Sequence, residues 1–255
     1  MAAKSDLIQA IINADNIMSF INNKREAGVS EISKELSLPK TTCYRILKTL
    51  EYKGLVIQTT NDNYAIGYRI LSYKAGCSRE TNLVHTSKPF IDQLANEIGE
   101  TVSLVIERQE KCIYIYSKEG EYYTLQSNIG SEAELYISST GKIFLSQWEL
   151  DRVKKYYSNN LRKQTINTIT SYDRYLLERK SILKKGYAID KEEYEYGLTC
   201  IGVPVFIDQS IIAAISISGP TTRLEYKGLL QMAELVKEIA GKLSNHLPKE
   251  LDTIK

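Results

Sequence analysis

A stretch near the N-terminus carries side chains whose types and spacing suit contact with DNA. Thr41, Tyr44, Arg45 and Lys48 recur at helical intervals, so they fall on one face of a helix. An arginine on such a face can donate to O6 and N7 of guanine in the major groove, whereas lysine and hydroxyl groups hold phosphates. The opposite face is apolar and would pack inward. It consists of Cys43, Ile46, Leu47 and Leu50.

The elements around this helix determine how it could be presented. Apolar spacing predicts a first helix over 5–22, a short second helix over 29–36 and the third helix over 39–53. The third helix begins at a proline and ends before a glycine, which are ordinary start and stop signals. Two short apolar runs flank the turn 61–63 and predict a β-hairpin. Helix, helix, turn, helix and hairpin is the order of a winged helix-turn-helix.

The distribution of charge favours the same interpretation. Residues 1–75 contain 10 Lys and Arg against 7 Asp and Glu, whereas the whole chain has a net charge of only +2. A basic helix face is an electrostatic footprint for nucleic acid, although an ordinary surface helix can carry a similar stripe. The complete order of elements favours DNA, and the side chains expected to contact it are Ser30, Lys40, Thr41, Thr42, Tyr44, Arg45, Lys48 and Asn63.

Several motifs resemble those of IclR-type transcription regulators. The segment from Ser30 to Leu47 resembles the DNA-binding half of that family, and Tyr64 to Leu71 is similar to its Y-x-L-G-x-x-L sequence after the wing. From Asp190 to Phe206 the chain matches all seven fixed positions of the family pattern D-x-E-E-x-x-x-G-x-x-C-x-x-x-P-x-F. Ser216 to Gly219 matches the S-x-S-G strand end, and Glu100 to Ile106 resembles the G-E-T-V-x-L entry to the C-terminal domain.

The resemblance implies an α+β fold in three parts. These are a winged helix-turn-helix DNA-binding domain over 1–75, a linker and linker helix over 76–99, and a GAF-like effector-binding domain with a mainly antiparallel sheet over 100–255. The linker helix is expected to begin at Asn82 and to contain Pro89. In the last part, apolar runs predict strands over 112–116, 122–126, 200–207 and 211–218 and helices over 149–157, 173–185 and 225–247.

The resemblance also implies a pocket for a small-molecule effector. Its residues would be Leu125, Ser139, Thr140, Gly141, Asp190, Cys200, Ser216 and Ser218. Hydroxyl and thiol groups together with the backbone amides of a helix N-terminus can bind a small carboxylate without an arginine. Ser139 and Thr140 stand where the family commonly has small residues such as Gly or Ala. We expect a small organic acid, such as a sugar acid, a keto acid or an aromatic carboxylate.

Other functions have weaker support in the sequence. A thiol- or serine-dependent hydrolase or a transferase would need a base beside its nucleophile, yet the chain has two histidines, His85 and His246, both outside the pocket motif. A passive DNA-packaging protein would leave the near-neutral segment 76–255 without a purpose. The scattered cysteines include no C-x-x-C pair, so neither a zinc site nor a disulfide framework is expected. We expect no enzyme activity and no cofactor.

The remaining expectations concern location and assembly. The longest apolar stretch, 201–219, is interrupted at 208–210, and the first residues lack a long apolar core, so a cytoplasmic protein without a membrane span is expected. One winged helix covers one half-site, which predicts a pseudo-palindromic double-stranded operator. Either a homodimer or a dimer of dimers would satisfy this, and both repressor and activator roles stay open.

Overall fold

A computed structural model of the chain describes residues 7–73, 78–121 and 130–248. The backbone separates into two units, Met1–Ser78 and Arg79–Lys255, and each contains its own apolar core. The first unit has the order of elements that the sequence predicts for a winged helix-turn-helix. These are α1 (Gln9–Lys24), α2 (Val29–Glu35), α3 (Lys40–Tyr52), β1 (Val56–Gln58), β2 (Tyr64–Ile66) and α4 (Ile70–Tyr73).

The turn between α2 and α3 is held by a side chain. Ser33 donates from Oγ to the carbonyl oxygen of Leu38 at 2.6 Å. Ser37 adopts a left-handed φ of 52° at this turn, and Pro39 precedes the first residue of α3. The proline fixes a φ that suits a helix start and lacks an N–H that would have no intrahelical partner. This turn and Pro39 therefore fix the direction of α3 at its first residues.

The hairpin of the first unit packs against the helical core. The strands β1 and β2 are antiparallel, and Ala27 forms an additional bridge to Tyr64. The ring of Tyr64 is buried among apolar residues of all three helices, including Ile17, Ile32 and Leu47. Burial of this kind removes a large apolar area from water and ties the wing to the helix-turn-helix.

The second unit is a mixed α+β domain around one antiparallel sheet, as the sequence predicts. Its strand order is β5-β4-β3-β8-β7-β6, and every neighbouring pair is antiparallel. The elements are α5 (Ser78–Ile98), β3 (Thr101–Arg108), β4 (Lys111–Lys118), β5 (Glu132–Glu134), a 3-10 turn (Leu135–Ile137), α6 (Ser139–Ser146), α7 (Leu150–Tyr157), α8 (Tyr172–Lys185), β6 (Ala188–Lys191), β7 (Leu198–Ile207), β8 (Ser210–Pro220), α9 (Thr221–Lys227) and α10 (Leu229–His246).

The sheet is covered on both faces. One face packs against α5 and α10 through residues such as Leu94, Ile217 and Val236. The other face packs against α6, α7 and α8 through a second cluster that includes Val105 and Tyr175. Alternating residues of a strand point to opposite faces, so β3 and β8 contribute to both clusters. The result is a three-layer arrangement with the sheet in the middle.

A β-bulge between β3 and β4 determines on which face of the sheet two neighbouring tyrosines of β4 lie. The register of β3 and β4 shifts between Leu104 and Val105, so that Val105 pairs with Tyr114 and Leu104 pairs with Tyr116. Tyr114 consequently packs on the α6 side, whereas Tyr116 packs on the α5 side and donates to Asp92 of that helix at 2.5 Å. In a regular strand these two tyrosines would share a face.

Four predictions about element bounds need correction or fall outside the description. The helix α5 begins at Ser78 rather than at Asn82, because the polar residues before Asn82 include good helix formers and do not interrupt it. The predicted last helix is divided into α9 and α10 by Gly228, whose φ of 86° is incompatible with helix. The first helix begins at Gln9 rather than at residue 5, because the backbone of Ile8 is extended, and the predicted strand over 122–126 lies outside the described residues.

Candidate functional site

The third helix presents the polar face that its spacing predicts. Cys43, Leu47 and Leu50 are buried in the core of the first unit, whereas the side chain of Tyr44 is 50% exposed. The other side chains predicted to contact DNA differ in accessibility. Ser30, Lys40, Thr41 and Arg45 are exposed, and Thr42, Lys48 and Asn63 are partly buried.

Lys48 lies in the middle of this face and is partly engaged. Its ammonium group contacts Glu51 at 2.8 Å and is about 6 Å from the ring centroids of Tyr44 and Tyr64. A cation over an aromatic face gains a modest electrostatic attraction, and the ion pair raises the pKa of Lys48 above its usual value. The lysine is therefore charged at neutral pH and is held between the helix and the wing.

Arg45 and Asn63 are placed at the edges of the same face. Arg45 and Thr42 line a groove of about 520 Å³ between α1 and α3, so they stand to one side of Tyr44. The amide of Asn63 donates to the carboxylate of Glu26 at 3.4 Å, which connects the turn of the wing to the segment before α2. The predicted DNA contacts thus lie on α2, on α3 and at the turn of the hairpin.

The second unit contains a cavity of about 150 Å³ between the sheet and the start of α6. Five of the predicted effector residues come together around it, namely Ser139, Asp190, Cys200, Ser216 and Ser218. The other described residues that line it are Thr101, Ser103, Tyr114, Ser131, Glu132, Ala133, Ser138, Tyr194 and Leu198. None of these lining residues is a lysine, an arginine or a histidine. The predicted residue Leu125 lies outside the described residues.

The N-terminus of α6 approaches the sheet unusually closely at the cavity. A Cβ atom on Gly202 of β7 would lie 2.7 Å from the carbonyl carbon of Ser139 and 2.8 Å from the amide nitrogen of Thr140. Ser138 caps the helix, because its hydroxyl accepts from the amide of Gly141 at 3.0 Å. The first amides of this helix and its positive dipole end therefore lie beside the cavity wall.

Two predicted effector residues serve packing rather than the cavity lining. The hydroxyl of Thr140 lies 3.6 Å from the thiol of Cys112 in the interior. Gly141 has no space for a side chain, since a Cβ atom would lie 2.2 Å from the carbonyl oxygen of Leu135. Both positions allow α6 to lie against its neighbours, and neither is among the described residues around the cavity.

Asp190 is the buried carboxylate of the cavity wall, whereas Glu132, which also lines the cavity, is exposed. The side chain of Asp190 is 1% exposed, and one of its oxygens accepts from the amides of Glu193 at 2.7 Å and Tyr194 at 3.4 Å. Burial raises the pKa of Asp190 to about 7, because the charged form loses its water and Lys142 compensates only in part. Near neutral pH this group is present both as carboxylate and as carboxylic acid.

Apart from Glu132, the other polar side chains among the described lining residues carry hydroxyl or thiol groups. The hydroxyls of Ser216 and Ser218 lie 3.3 Å apart on β8. Burial and the neighbouring Asp190 raise the pKa of the Cys200 thiol well above its usual value, so this cysteine is protonated at neutral pH. A protonated thiol is a poor nucleophile. Among the described residues, the wall therefore offers hydrogen bonds and no activated nucleophile.

Sequence reasoning missed nine of the described lining residues, among them Tyr114 and Tyr194, and it also missed Lys142 behind the wall. Tyr114 and Tyr194 line the cavity, and nothing in their spacing indicates it, because a bulge and a loop decide which way they point. Lys142 is fully buried behind the cavity wall. A signal for Lys142 does exist, since it is the one charged residue in the octapeptide of α6.

Two family descriptions match the sequence. Residues 76–245 match the description "Bacterial transcriptional regulator IclR C-terminal", and residues 10–60 match "IclR helix-turn-helix domain". The chain belongs to the IclR family. The resemblance found in the motifs is confirmed, and with it the assignment as a DNA-binding transcription regulator.

The sequence similarity to named IclR-family relatives covers most of their length. The chain is 28% identical to the transcriptional regulator KdgR of Escherichia coli, over 94% of this chain and 92% of that protein. It is 30% identical to the transcriptional repressor AllR of Salmonella paratyphi A, over 87% of this chain and 83% of that protein. The crystal structure of the Thermotoga maritima IclR protein superimposes with a TM-score of 0.74 at 29% identity, covering 93% of this chain and 96% of that one.

The IclR family consists of transcription regulators and not of enzymes, so the hydrolase and transferase hypotheses are set aside. Within 7–73, 78–121 and 130–248, no helix combines the length and the hydropathy of a membrane span. Across the same residues, no group of three or more His, Cys, Asp and Glu side chains could hold a metal ion.

Proposed function

We propose that this IclR-family regulator reads a double-stranded operator with α3 and the wing, and that a small organic acid in the cavity of the second unit controls it. The observation that carries the proposal is the cavity itself. Five side chains expected from the family motif line one space together with the start of α6. A regulator with a separate polar cavity has a place where a metabolite can bind without touching DNA.

The chemistry of the wall favours a carboxylate of modest size. Ser139 and Ser138 bring hydroxyl groups and backbone amides from the start of α6, where the helix dipole favours negative charge. Ser216 and Ser218 offer hydroxyl donors from the facing strand. Since no lysine or arginine is among the described lining residues, the ligand's charge would be held by neutral donors. A volume near 150 Å³ suits a sugar acid, a keto acid or a small aromatic acid.

Asp190 adds selectivity to this set. As a carboxylate it accepts from the hydroxyl groups of a ligand, and as a carboxylic acid it donates to a ligand carboxylate. Its pKa of about 7 makes both forms available near neutral pH. A ligand with a hydroxyl group close to its carboxylate would use both kinds of partner. This favours hydroxylated acids over plain fatty acids of the same length.

A thermal-shift screen against small organic acids tests the effector proposal. A ligand at 100 times its Kd stabilises the folded protein by about 2.7 kcal/mol, which is readily detected. Ser216→Ala, Ser218→Ala and Asp190→Asn should each reduce the shift, whereas Ser210→Ala, an exposed serine at the start of the same strand, should leave it intact. A shift that is indifferent to all three cavity variants would place the ligand elsewhere.

The operator is identified by selection from a random DNA pool, followed by binding measurements with and without the hit from the screen. We propose that two or four copies of the chain assemble on a pseudo-palindromic site, because each winged helix covers one half-site. Light scattering at micromolar concentration should give an even number of subunits, free or bound to DNA. If the ligand weakens operator binding, it releases the regulator from DNA. If it strengthens operator binding, it promotes attachment to DNA.

A further inference from the structure

A lysine is completely buried behind the cavity wall. Lys142 is the fourth residue of α6, and its side chain has an exposed fraction of 0%. Lysine is almost never fully buried unless its charge is paired, because an ammonium group loses strong hydration in the interior. The position therefore needs compensation that an apolar residue would not require.

Three acceptors provide that compensation from three different elements. The Nζ atom of Lys142 donates to the carbonyl oxygen of Ile189 at 2.5 Å, to the carboxylate of Glu178 at 3.2 Å and to the carboxylate of Glu193. Its three protons thus match three acceptors, on β6, on α8 and on the loop after β6. Burial alone would lower the pKa of Lys142, but the two glutamates raise it, so the group stays charged.

The same contacts lead directly to the cavity. Ile189 precedes Asp190 on β6, and the amide of Glu193 donates to the carboxylate of Asp190 at 2.7 Å. The carbonyl of Glu193 is in turn held by the hydroxyl of Thr168 at 2.7 Å. Lys142 therefore contacts the residues on both sides of Asp190 along the chain, while the start of its own helix forms the opposite wall.

We infer that Lys142 is a positioning residue of the cavity, which holds the Asp190 loop against α6 and balances the charge of the Asp190 carboxylate. Its ammonium group does not line the cavity, so it acts through Asp190 and not on the ligand. The consequence for the effector rests on the function proposed above, since Asp190 would select the ligand. The contacts between Lys142 and the Asp190 loop do not depend on that proposed function.

Asp190 faces several charged or titratable groups besides this lysine. Lys142 of α6 favours its charged form, and Glu193 of the following loop opposes it. The amides of Glu193 and Tyr194 also favour the charged form through hydrogen bonds. The thiol of Cys200 on β7 and the phenol of Tyr114 on β4 face the same cavity and are protonated at neutral pH, because burial raises the pKa of both. Lys142 is thus the cation that offsets Asp190 among these groups.

The test measures the titration of Asp190 itself and needs no ligand. Aspartate labelled with ¹³C at its carboxyl carbon is incorporated, and Asp190→Asn identifies the Asp190 resonance. In Lys142→Met the midpoint should rise by about one pH unit or more above that of the wild-type protein, because the compensating charge is lost. Lys142→Arg, which keeps the charge, should restore a midpoint close to the wild-type value. Lys191→Met, an equally drastic change at an exposed lysine next to Asp190, should leave it unchanged.

The direction of the shift separates positioning from simple damage. If removal of Lys142 merely loosens the domain, water reaches Asp190 and its midpoint falls towards the ordinary value for aspartate, which would overturn the inference. An unchanged midpoint would also overturn it.

Since Lys142→Met leaves two carboxylates without their partner, it can fail to fold. Glu193→Gln is the second variant, because Glu178 and Ile189 still hold the lysine. There the midpoint should fall while the melting temperature is retained, and an unchanged midpoint would contradict the inference.

These outcomes are independent of the effector screen. If no organic acid binds but the Asp190 midpoint rises in Lys142→Met, the proposed function fails and the positioning role stands. If the cavity variants abolish a thermal shift but the midpoint is unaffected, the effector site stands and the positioning role fails.

Discussion

The carboxyl group of Asp190 is buried in the folded protein, and this burial makes the stability of the second unit depend on pH. In an unfolded chain the carboxyl has an ordinary pKa near 4, whereas burial raises the pKa of the folded-state group to about 7. Between these values the folded protein binds a proton that the unfolded chain has already released. The contribution of Asp190 to the free energy of unfolding therefore falls as the pH rises from about 4 to 7 and is lowest above that range.

Replacement of Asp190 by asparagine should remove this loss of stability at higher pH. Asp190→Asn keeps an oxygen for the amides of Glu193 and Tyr194 but carries no charge, so its stability relative to the wild-type protein should be greater at pH 8 than at pH 5. Urea unfolding followed by the fluorescence of Trp148, the single tryptophan of the chain, measures this difference in the second unit. Asp173→Asn, at an exposed aspartate, should show no such pH dependence. A difference between the two proteins that is constant with pH would mean that Asp190 is already charged at pH 5.

Arg45 has the side chain best suited to reading a base. Its guanidinium is exposed on α3, and a bidentate contact with guanine contributes about 1–3 kcal/mol of discrimination. Arg45→Ala should weaken operator binding by that amount and relax the preference at one base position. Lys48→Ala should weaken all sequences alike and reduce the salt dependence, as expected for a phosphate contact. Equal losses on operator and random DNA for Arg45→Ala would mean that it too contacts only the backbone.

At the scale of elements, the contact between α6 and β7 depends on the absence of one side chain. Gly202→Ala would place a carbon within 2.8 Å of the backbone of Ser139 and Thr140, and backbone atoms cannot yield as a flexible side chain can. The helix must move away from the strand, so we expect destabilisation of about 1–3 kcal/mol and a loss of any ligand shift. Gly241→Ala provides the control, because its Cβ atom would enter open space on α10. In Gly241→Ala, the better helix propensity of alanine should stabilise the protein slightly.

The elements that the sequence predicts correctly are those with a strong local signal. The apolar face of α3 and the alternating runs of β7 and β8 are visible in one stretch of sequence. The break at Gly228 escapes this reasoning, because apolar spacing continues across the glycine and only its φ of 86° ends the helix. The start of α5 escapes it as well, since a polar helix turn looks like a loop when burial is unknown.

The cavity could be predicted only in part, for a different reason. Asp190, Cys200, Ser216 and Ser218 lie in motifs on paired strands, so their meeting follows from the register of β6, β7 and β8. Tyr114 comes from a strand whose bulge reverses the expected face. Thr140 looks like a wall residue in the sequence, yet the close approach of α6 turns it towards Cys112. Such details depend on packing between elements far apart in the chain, which local patterns do not encode.

At the scale of the whole molecule, the proposed two-fold assembly would make the spacing of the operator half-sites decisive. If two copies bind half-sites one helical turn apart, their centres are separated by about 10–10.5 base pairs or a multiple of this. Inserting five base pairs between the half-sites should abolish tight binding, because the second half-site turns to the far side of the duplex. Gel-shift titration of the altered operators measures this. Tight binding after the insertion would show that the copies bind independently.

The triple contact of Lys142 also restricts how this domain can change over generations. If Lys142 is lost alone, the buried carboxylate of Glu193 stays behind without its partner, and such a charge costs several kcal/mol. Loss of the lysine alone is therefore a poor step, although replacing it together with both glutamates by apolar residues could be harmless. Among descendants of a common ancestor, the lysine should accordingly be lost only together with its glutamates. A lineage that lost the lysine and kept both glutamates would show that they do not depend on it.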